Sequence, residues 1–306
     1  EPMTPRSLAW IAQATGGRLV GADRVVDAIA TDTRALPGGD ALFIALTGEQ
    51  FDGHDHVRAA IHGGCVAALV ARQLDIDAPQ VVVADTALAL AAFAGAVQRL
   101  RDARVRAITG SNGKASVKTL LLSILDQVGG AYASPGNRNS EIGLPLAVLA
   151  APDDARFAVY EMGAGKPGDI AYLTAIARPD VSLVNNIAPA HLERMGSLQG
   201  VAETKGAIHD ALPADGVAVV NADDSFAAYF IERLHDRRVL RFGIGANADI
   251  HARDIRIDAE GSRFVLVSPQ GEVEVALPMA GRHNVANALA AASMAPAACA
   301  AAVITP

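Results

Sequence analysis

Val105-Arg-Ala-Ile-Thr-Gly-Ser-Asn-Gly-Lys-Ala-Ser-Val-Lys118 reads as a strand, a glycine turn and a helix start in succession, and it decides the fold. An apolar, β-branched run enters Thr109-Gly-Ser-Asn-Gly-Lys114. Val117, Leu120, Leu121, Ile124, Leu125 and Val128 then recur at the spacing of an amphipathic helix. Glycines allow a sharp turn that aims backbone N–H groups and a helix N-terminus at an anion. A lysine at the turn adds charge for the outer phosphates. The stretch departs from G-x-x-x-x-G-K-[ST] at two places: Ile108 stands at the first glycine, and Ala115 at the hydroxyl that ordinarily meets magnesium.

The surrounding chain suits such a turn. Its 306 residues allow two domains, and 51% hydrophobic residues can build sizeable cores, chiefly from Ala, Val, Leu and Ile because only 4% are aromatic. The formal charge of −7 argues against a nucleic-acid binder, so phosphate recognition must come from local geometry. Cys65 and Cys299 fit no disulfide framework or C-x-x-C spacing, which points to a reducing cytoplasm. The start shows no basic segment followed by an apolar one, and Glu1-Pro2 ahead of Met3 is set aside. The alanine-rich runs are too short or too amphipathic to cross a bilayer.

Residues 1–100 read as a small α/β domain. Helices are expected at Ser7–Gly16 and His54–His62, and another from the Asp85 cap to Leu100. Strands are expected at Arg24–Thr31, Ala41–Leu46, Cys65–Val70 and Gln80–Val83. The charged Arg101-Asp-Ala-Arg104 marks the boundary. Over 101–306, strands at Ala107–Thr109, Phe157–Glu161, Val181–Asn185, Val217–Asn221 and Val239–Phe242 alternate with helices, predicting a mostly parallel, doubly wound sheet. Asp249–Ile257, Arg263–Ser268 and Glu272–Leu277 alternate in polarity and predict an antiparallel edge meander. An alanine-rich helix, or a pair of helices, closes the chain from Asn284 to about Ala302.

Several polar residues stand at strand ends. Glu161 ends a parallel strand beside the phosphate turn, where a magnesium ligand would sit, although such a residue can also be a cap. His191 follows another strand end, and a lone His is more often structural. Lys205 would ordinarily be solvated, Asn221-Ala-Asp-Asp224 suits an Asx turn, and Asn284 would pass as a helix cap. Thr31-Asp32-Thr33-Arg34 is either a turn or a place where Arg34 and the hydroxyls meet a substrate.

Together these segments resemble the Mur ligases, the ATP-dependent amide-forming enzymes of peptidoglycan synthesis. Gly110-Ser-Asn-Gly-Lys114 matches the family's G-[ST]-x-G-K. Asn185 to Glu193 with Gly196-Ser197 matches N-x-x-x-x-H-L-E-x-x-G-S, and Gly281-Arg-His-Asn284 with Asn287 matches G-x-H-N-x-x-N. Within the family the likeness is to the member that joins D-Ala-D-Ala to UDP-MurNAc-tripeptide. It is carried by Asp32-Thr-Arg34, Leu42–Leu46 with Gly48-Glu49, Phe51–His54, Gly136–Pro145, Glu161–Ala164 and Pro167–Ile170.

The resemblance implies that the tripeptide carboxylate attacks the γ-phosphate of ATP and that the amine of D-Ala-D-Ala then displaces phosphate. By position, Gly110, Ser111, Asn112, Gly113, Lys114, Ala115 and Ser116 would hold the phosphates, with Lys114 on the outer ones. Glu161, His191 and Ser116 would ligate Mg2+. Lys205 matches the lysine the family carbamylates, and Asn284 and Asn287 would meet the adenine. Thr31, Asp32, Thr33 and Arg34, with Asn137, Asn139 and Glu141, would face the UDP-sugar peptide. A soluble cytoplasmic monomer with no nucleic-acid partner is expected. The family's third domain has no counterpart before Pro306, so the expected polypeptide binds UDP-substrate, and ATP weakly, without completing ligation. Ala115 predicts low turnover, rescued by Ala115→Thr. The alternatives are another Mur or folylpolyglutamate-type ligase, and a non-catalytic UDP-sugar or nucleotide-binding protein derived from such a ligase.

Overall fold

The computed structural model describes residues 2–245, 247–297 and 299. The chain forms two compact units, Glu1–Arg101 with Glu141–Asp153, and Asp102–Ser140 with Asp154–Pro306. In chain order the first contains β1 (Pro2–Ser7), α1 (Leu8–Thr15), β2 (Arg18–Val20), β3 (Val25–Ala30), β4 (Ala41–Ile44), α2 (Val57–His62), β5 (Ala67–Val70), β6 (Gln80–Val82) and α3 (Thr86–Arg99). The next elements are β7 (Arg104–Thr109), α4 (Lys114–Asp126), β8 (Ala131–Ala133), α5 (Gly143–Ala150), β9 (Phe157–Glu161), α6 (Asp169–Ala177), β10 (Val181–Val184), α7 (Leu192–Met195) and α8 (Leu198–Asp210). The chain continues through β11 (Val217–Asn221), α9 (Ala227–Leu234), β12 (Arg238–Gly243), β13 (Ile250–Asp258), β14 (Gly261–Ser268), β15 (Gly271–Leu277) and α10 (Arg282–Met294).

In the first unit the described strands are ordered β1-β3-β4-β5-β6-β2. β3 to β6 run parallel, and β1 and β2 pair antiparallel at the two edges. Ser7 caps α1 by accepting from Trp10 N–H, and Gly16 ends it in the left-handed region at φ 70°. The carboxyl ends of β3, β4 and β5 send Thr31–Arg34, Leu46–His54 and Ala71-Arg72 off one edge of the sheet. That edge is where parallel sheets bind ligands. β1 and β2 were not anticipated. β1 begins at Pro2, one of the two residues set aside, and β2 is only three residues long.

The second unit's described sheet is ordered β15-β14-β13-β12-β11-β10-β7-β9-β8. It is parallel from β8 to β13 and antiparallel over β13-β14-β15, as the alternation from Asp249 onward predicts. Val117, Leu121, Ile124 and Leu125 of α4 join Ile108, Val159, Leu183, Val219 and α10's Val285 and Leu289 in one core. Each such side chain contributes roughly 1.5–3 kcal/mol on burial. This packing seats α4 so that its N-terminus opens at the carboxyl ends of β7 and β10. The closing helix stops at Met294, and its expected continuation to Ala302 lies largely outside the described residues.

The sequence places one boundary near residue 100 and keeps everything after it together. The structure instead groups Glu141–Asp153 with the first unit. α5 (Gly143-Leu-Pro-Leu-Ala-Val-Leu-Ala150) is apolar on nearly all sides and packs against α3 and β1. A helix without a polar face carries no pattern saying which body it covers.

Candidate nucleotide-binding site

The glycine turn closes between β7 and α4 with Gly110 at φ 146° and Gly113 at φ 83°. Both lie where a side chain is disfavoured, and contact reinforces conformation. A Cβ on Gly113 would lie 2.7 Å from both Asn185 Nδ2 and Asn287 Oδ1, and one on Gly110 would lie 3.0 Å from Asn185 Cβ. The first-turn N–H groups of Lys114, Ala115 and Ser116 have no acceptor within their own helix, as in any helix start.

The end of β10 straps the turn in place. Ser111 N–H donates to Asn186 O at 3.0 Å, and Asn112 N–H to Asn186 Oδ1 at 2.8 Å. Asn112 O accepts from Asn185 Nδ2 at 3.0 Å and from Asn186 Nδ2 at 3.1 Å. Ser111 Oγ donates to Ala188 O and accepts from Ala188 N–H. Ser111 and Asn112 therefore spend their backbone donors inside the protein, leaving anion recognition to the start of α4. Asn221 Nδ2 supports Asn185 O at 2.8 Å, and its Oδ1 closes the expected Asx turn to Asp223 N–H at 3.0 Å.

Two lysines converge on the turn. Lys114 Nζ donates to Gly110 O at 2.8 Å, and Lys205 Nζ, from α8, reaches the same oxygen at 3.4 Å. Burial holds the Lys205 amine down at about 8, with the Lys114 charge adding to the depression. Burial also lowers Lys114, against the pull of the Glu161 carboxylate. Lys205 is 3% exposed rather than solvated.

Glu161 ends β9 and is buried, with Oε2 at 2.9 Å from Lys118 Nζ but accepting no well-aligned hydrogen bond. Such a carboxylate is the hard oxygen donor that magnesium takes, alongside waters and substrate phosphates. Among the described residues no three His, Cys, Asp or Glu side chains form a metal cage. Magnesium does not require one. His191 is exposed and left-handed at φ 52°, just ahead of α7. Ser116 is half-buried in the first turn of α4, and Ala115 beside it is exposed.

Asn287 is buried and accepts from Asn185 Nδ2 at 3.0 Å, so it braces the back of the turn. Asn284 donates to Ala280 O at 3.0 Å and is not the helix cap, a position Gly281 occupies. In the first unit Arg34 pairs with Asp32 at 2.6 Å, and the guanidinium holds that carboxyl at about 2. Thr31 and Thr33 are half-buried beside it. Asn139 lies against Gly163, whose N–H donates to Asn139 O at 2.8 Å. Asn137 and Glu141 are exposed. A cavity of about 450 Å³ lies at the opposite, amino end of the same sheet, lined by Arg104, Arg106, Asp180, Asp215 and Arg238, away from these groups. Lys118 and Asn186 carry no role in the sequence reading, and Asn185 enters it only as the first residue of the N-x-x-x-x-H-L-E match. The available signal for Lys118 was a lysine one turn beyond Lys114, between the core positions Val117 and Leu121.

A strand, a glycine turn held by a neighbouring strand end, and two converging lysines define an α/β protein with a phosphate-loop-like turn. The Mur ligase family's catalytic domain matches residues 11–112 and the Mur ligase middle domain matches residues 108–295, and the chain belongs to the Mur ligase family. It is 45% identical over 289 residues to the UDP-N-acetylmuramoyl-tripeptide–D-alanyl-D-alanine ligase of Escherichia coli (strain K12), covering 94% of this chain and 64% of that protein. A crystal structure of MurF from Acinetobacter baumannii superposes with a TM-score of 0.93 at 33% identity, covering 99% of this chain and 68% of that one. MurF from Thermotoga maritima, solved in complex with ADP, gives a TM-score of 0.77 at 28% identity over 86% of this chain and 61% of that one. The chain thus spans slightly under two thirds of the Escherichia coli protein's length.

Proposed function

We propose that this chain carries the nucleotide and UDP-substrate sites of a UDP-N-acetylmuramoyl-tripeptide–D-alanyl-D-alanine ligase. The observation that carries the reading is the convergence of Lys114 and Lys205 on Gly110 O, at the mouth of a turn already shaped for an anion. ATP phosphates would replace the Gly110 carbonyl as the partner of these cations. The first-turn N–H groups of α4 would supply the remaining donors.

Glu161 fits Mg2+, with Ser116 and His191 as further ligands. The ion would supply electrostatic stabilisation of the transferring phosphoryl group. Lys114 would hold the outer phosphates in line with the tripeptide carboxylate. Lys205, whose neutral amine is accessible near pH 8, is the residue for carbamylation. Asn284 remains the candidate for adenine, while Asn287 supports the turn. Thr31, Asp32, Thr33, Arg34, Asn137, Asn139 and Glu141 would serve the UDP-sugar peptide, and the amine of D-Ala-D-Ala would complete the amide. A monomeric cytoplasmic enzyme of peptidoglycan precursor synthesis is the setting. Among the described residues, no helix is long and apolar enough to cross a membrane.

Thermal unfolding with Mg–ATP, UDP-MurNAc-tripeptide and folate tests this, because a ligand that binds only the folded state raises its stability. The first two should protect and folate should not. Protection by folate without protection by the UDP-substrate would replace this reading with a folylpolyglutamate-type one. Ala115 favours a second reading, a nucleotide- and UDP-sugar-binding protein without turnover. ADP release dependent on UDP-MurNAc-tripeptide would rule that out.

A further inference from the structure

Lys118 lies in α4 one turn after Lys114, yet it faces a different set of partners. It is buried, and its Nζ donates to Ser134 O at 2.8 Å and Gly136 O at 3.0 Å while standing 2.9 Å from Glu161 Oε2. Two of its three N–H donors go to backbone carbonyls, and its charge is paired with the Glu161 carboxylate without an aligned hydrogen bond. Lys118 is thus engaged inside the protein rather than turned towards a phosphate. It joins three segments: the helix behind the glycine turn, the end of β9, and the Ser134–Ser140 loop that carries Asn137 and Asn139.

The loop is also held on the far side of Glu161. Gly163 N–H donates to Asn139 O at 2.8 Å, and Asn139 N–H donates to Asn137 O at 2.8 Å. The Asn139 side chain packs so closely on Gly163 that an added Cβ there would lie 3.2 Å from its Cγ. Both anchors of the loop thus flank Glu161, the buried carboxylate that fits a metal among the described residues.

We propose that Lys118 is a positioning residue through which a divalent cation at Glu161 sets the order of the Ser134–Ser140 loop. The inference rests on the reading above that Glu161 holds Mg2+. When Glu161 shares its negative charge with a second cation, the Lys118 ammonium depends more on its remaining acceptors, the Ser134 and Gly136 carbonyls. Metal occupancy and loop order become one linked equilibrium, so that loading the nucleotide site prepares the segment assigned to the peptide substrate.

Amide hydrogen exchange on the chain with ADP alone and with Mg–ADP tests this. In the unsubstituted protein, Mg–ADP should protect 110–118. Relative to ADP alone it should slow exchange at 134–140 by about fivefold, the lower end of coupling between linked sites. Lys118→Met should keep the protection at 110–118 and lose the magnesium-dependent slowing at 134–140, and Lys118→Arg should restore part of it. Glu161→Gln, which leaves Lys118 bonded to both carbonyls, should keep the loop ordered without nucleotide and abolish its response to magnesium. Magnesium-dependent slowing that persists in Lys118→Met overturns the proposal. If that variant does not fold, persistence in Glu161→Gln overturns it instead. No protection at 110–118 in the unsubstituted protein defeats the nucleotide reading itself, whereas protection there with no change at 134–140 defeats only the linkage.

Discussion

Lys114 and Lys205 direct their ammonium groups at one oxygen, the Gly110 carbonyl, from 2.8 and 3.4 Å. A buried and a half-buried cation sharing one neutral acceptor suit an anion, and the larger cost falls on Lys205. Its folded-state value of about 8 lies below the ordinary 10.5. The folded state therefore binds fewer protons than the unfolded one between these values, and stability should rise as pH increases from about 8 towards 10.5. The full span corresponds to about 3 kcal/mol. Urea unfolding of the unsubstituted protein at pH values across this window should show that rise, and Lys205→Met should flatten it. An equal slope in both proteins would mean that Lys205 titrates normally. The same neutral amine is the species that adds carbon dioxide, so isotope-labelled bicarbonate should give a carbamate signal that Lys205→Met lacks.

Gly113→Ala should be among the most damaging single substitutions near the site. The φ of 83° disfavours any side chain, and the new methyl would lie 2.7 Å from Asn185 Nδ2 and Asn287 Oδ1, which are themselves hydrogen-bonded. The expected loss is about 2 kcal/mol or more of unfolding free energy, together with loss of ADP binding. Denaturant midpoints and calorimetric titration with ADP provide both readouts, and near-native values in the two would contradict the crowding argument.

The part of this site that was legible in sequence is the part where local signals agree. Around 105–126 the strand, the glycines and the helical period all support one arrangement, and β7, the turn and α4 form there. Asp85 and Ser7 announced helix starts because capping is a contact within three residues. The partners of the turn were not legible in the same way. Asn185 and Asn186 meet Asn112 across 73 and 74 residues, and Lys118 meets Glu161 across a strand crossover. Nothing in a one-dimensional pattern distinguishes such side chains from solvated ones. Arg34 pairs with Asp32 two positions away, a local contact that the substrate assignment from sequence does not include.

Ala115→Thr should strengthen nucleotide binding in a magnesium-dependent manner. Ala115 is exposed in the first turn of α4, where a threonine hydroxyl can be added without disturbing the core. One recovered oxygen ligand or charge-assisted hydrogen bond should tighten Mg–ADP by about tenfold, or about 1.4 kcal/mol. Affinity for ADP in chelator should stay unchanged. Calorimetric titration of both proteins with and without magnesium decides this, and equal Mg–ADP affinities would show that Ser116 or water already fills the role.

The second unit also contains a buried histidine that makes its stability sensitive to acid. His209 is 1% exposed, lies with Nδ1 2.7 Å from Ser182 Oγ, and packs its ring edge-on to Phe230 at 5.8 Å. Its Nε2 has no hydrogen-bond partner. Burial holds its titration at about 3, against a partial opposing pull from Asp210, whereas the unfolded chain takes up the proton near the ordinary 6.5. The unfolded state therefore binds more protons throughout that interval, so this group's contribution is complete above pH 6.5 and declines as pH falls towards 3. Between pH 6.5 and pH 4.5 the loss should be about 2 kcal/mol. His209→Leu removes the titration while keeping an apolar side chain beside Phe230, and its unfolding free energy should change less over the same interval. Chemical denaturation of both proteins at the two pH values measures the difference, and parallel losses would place the acid sensitivity on other groups.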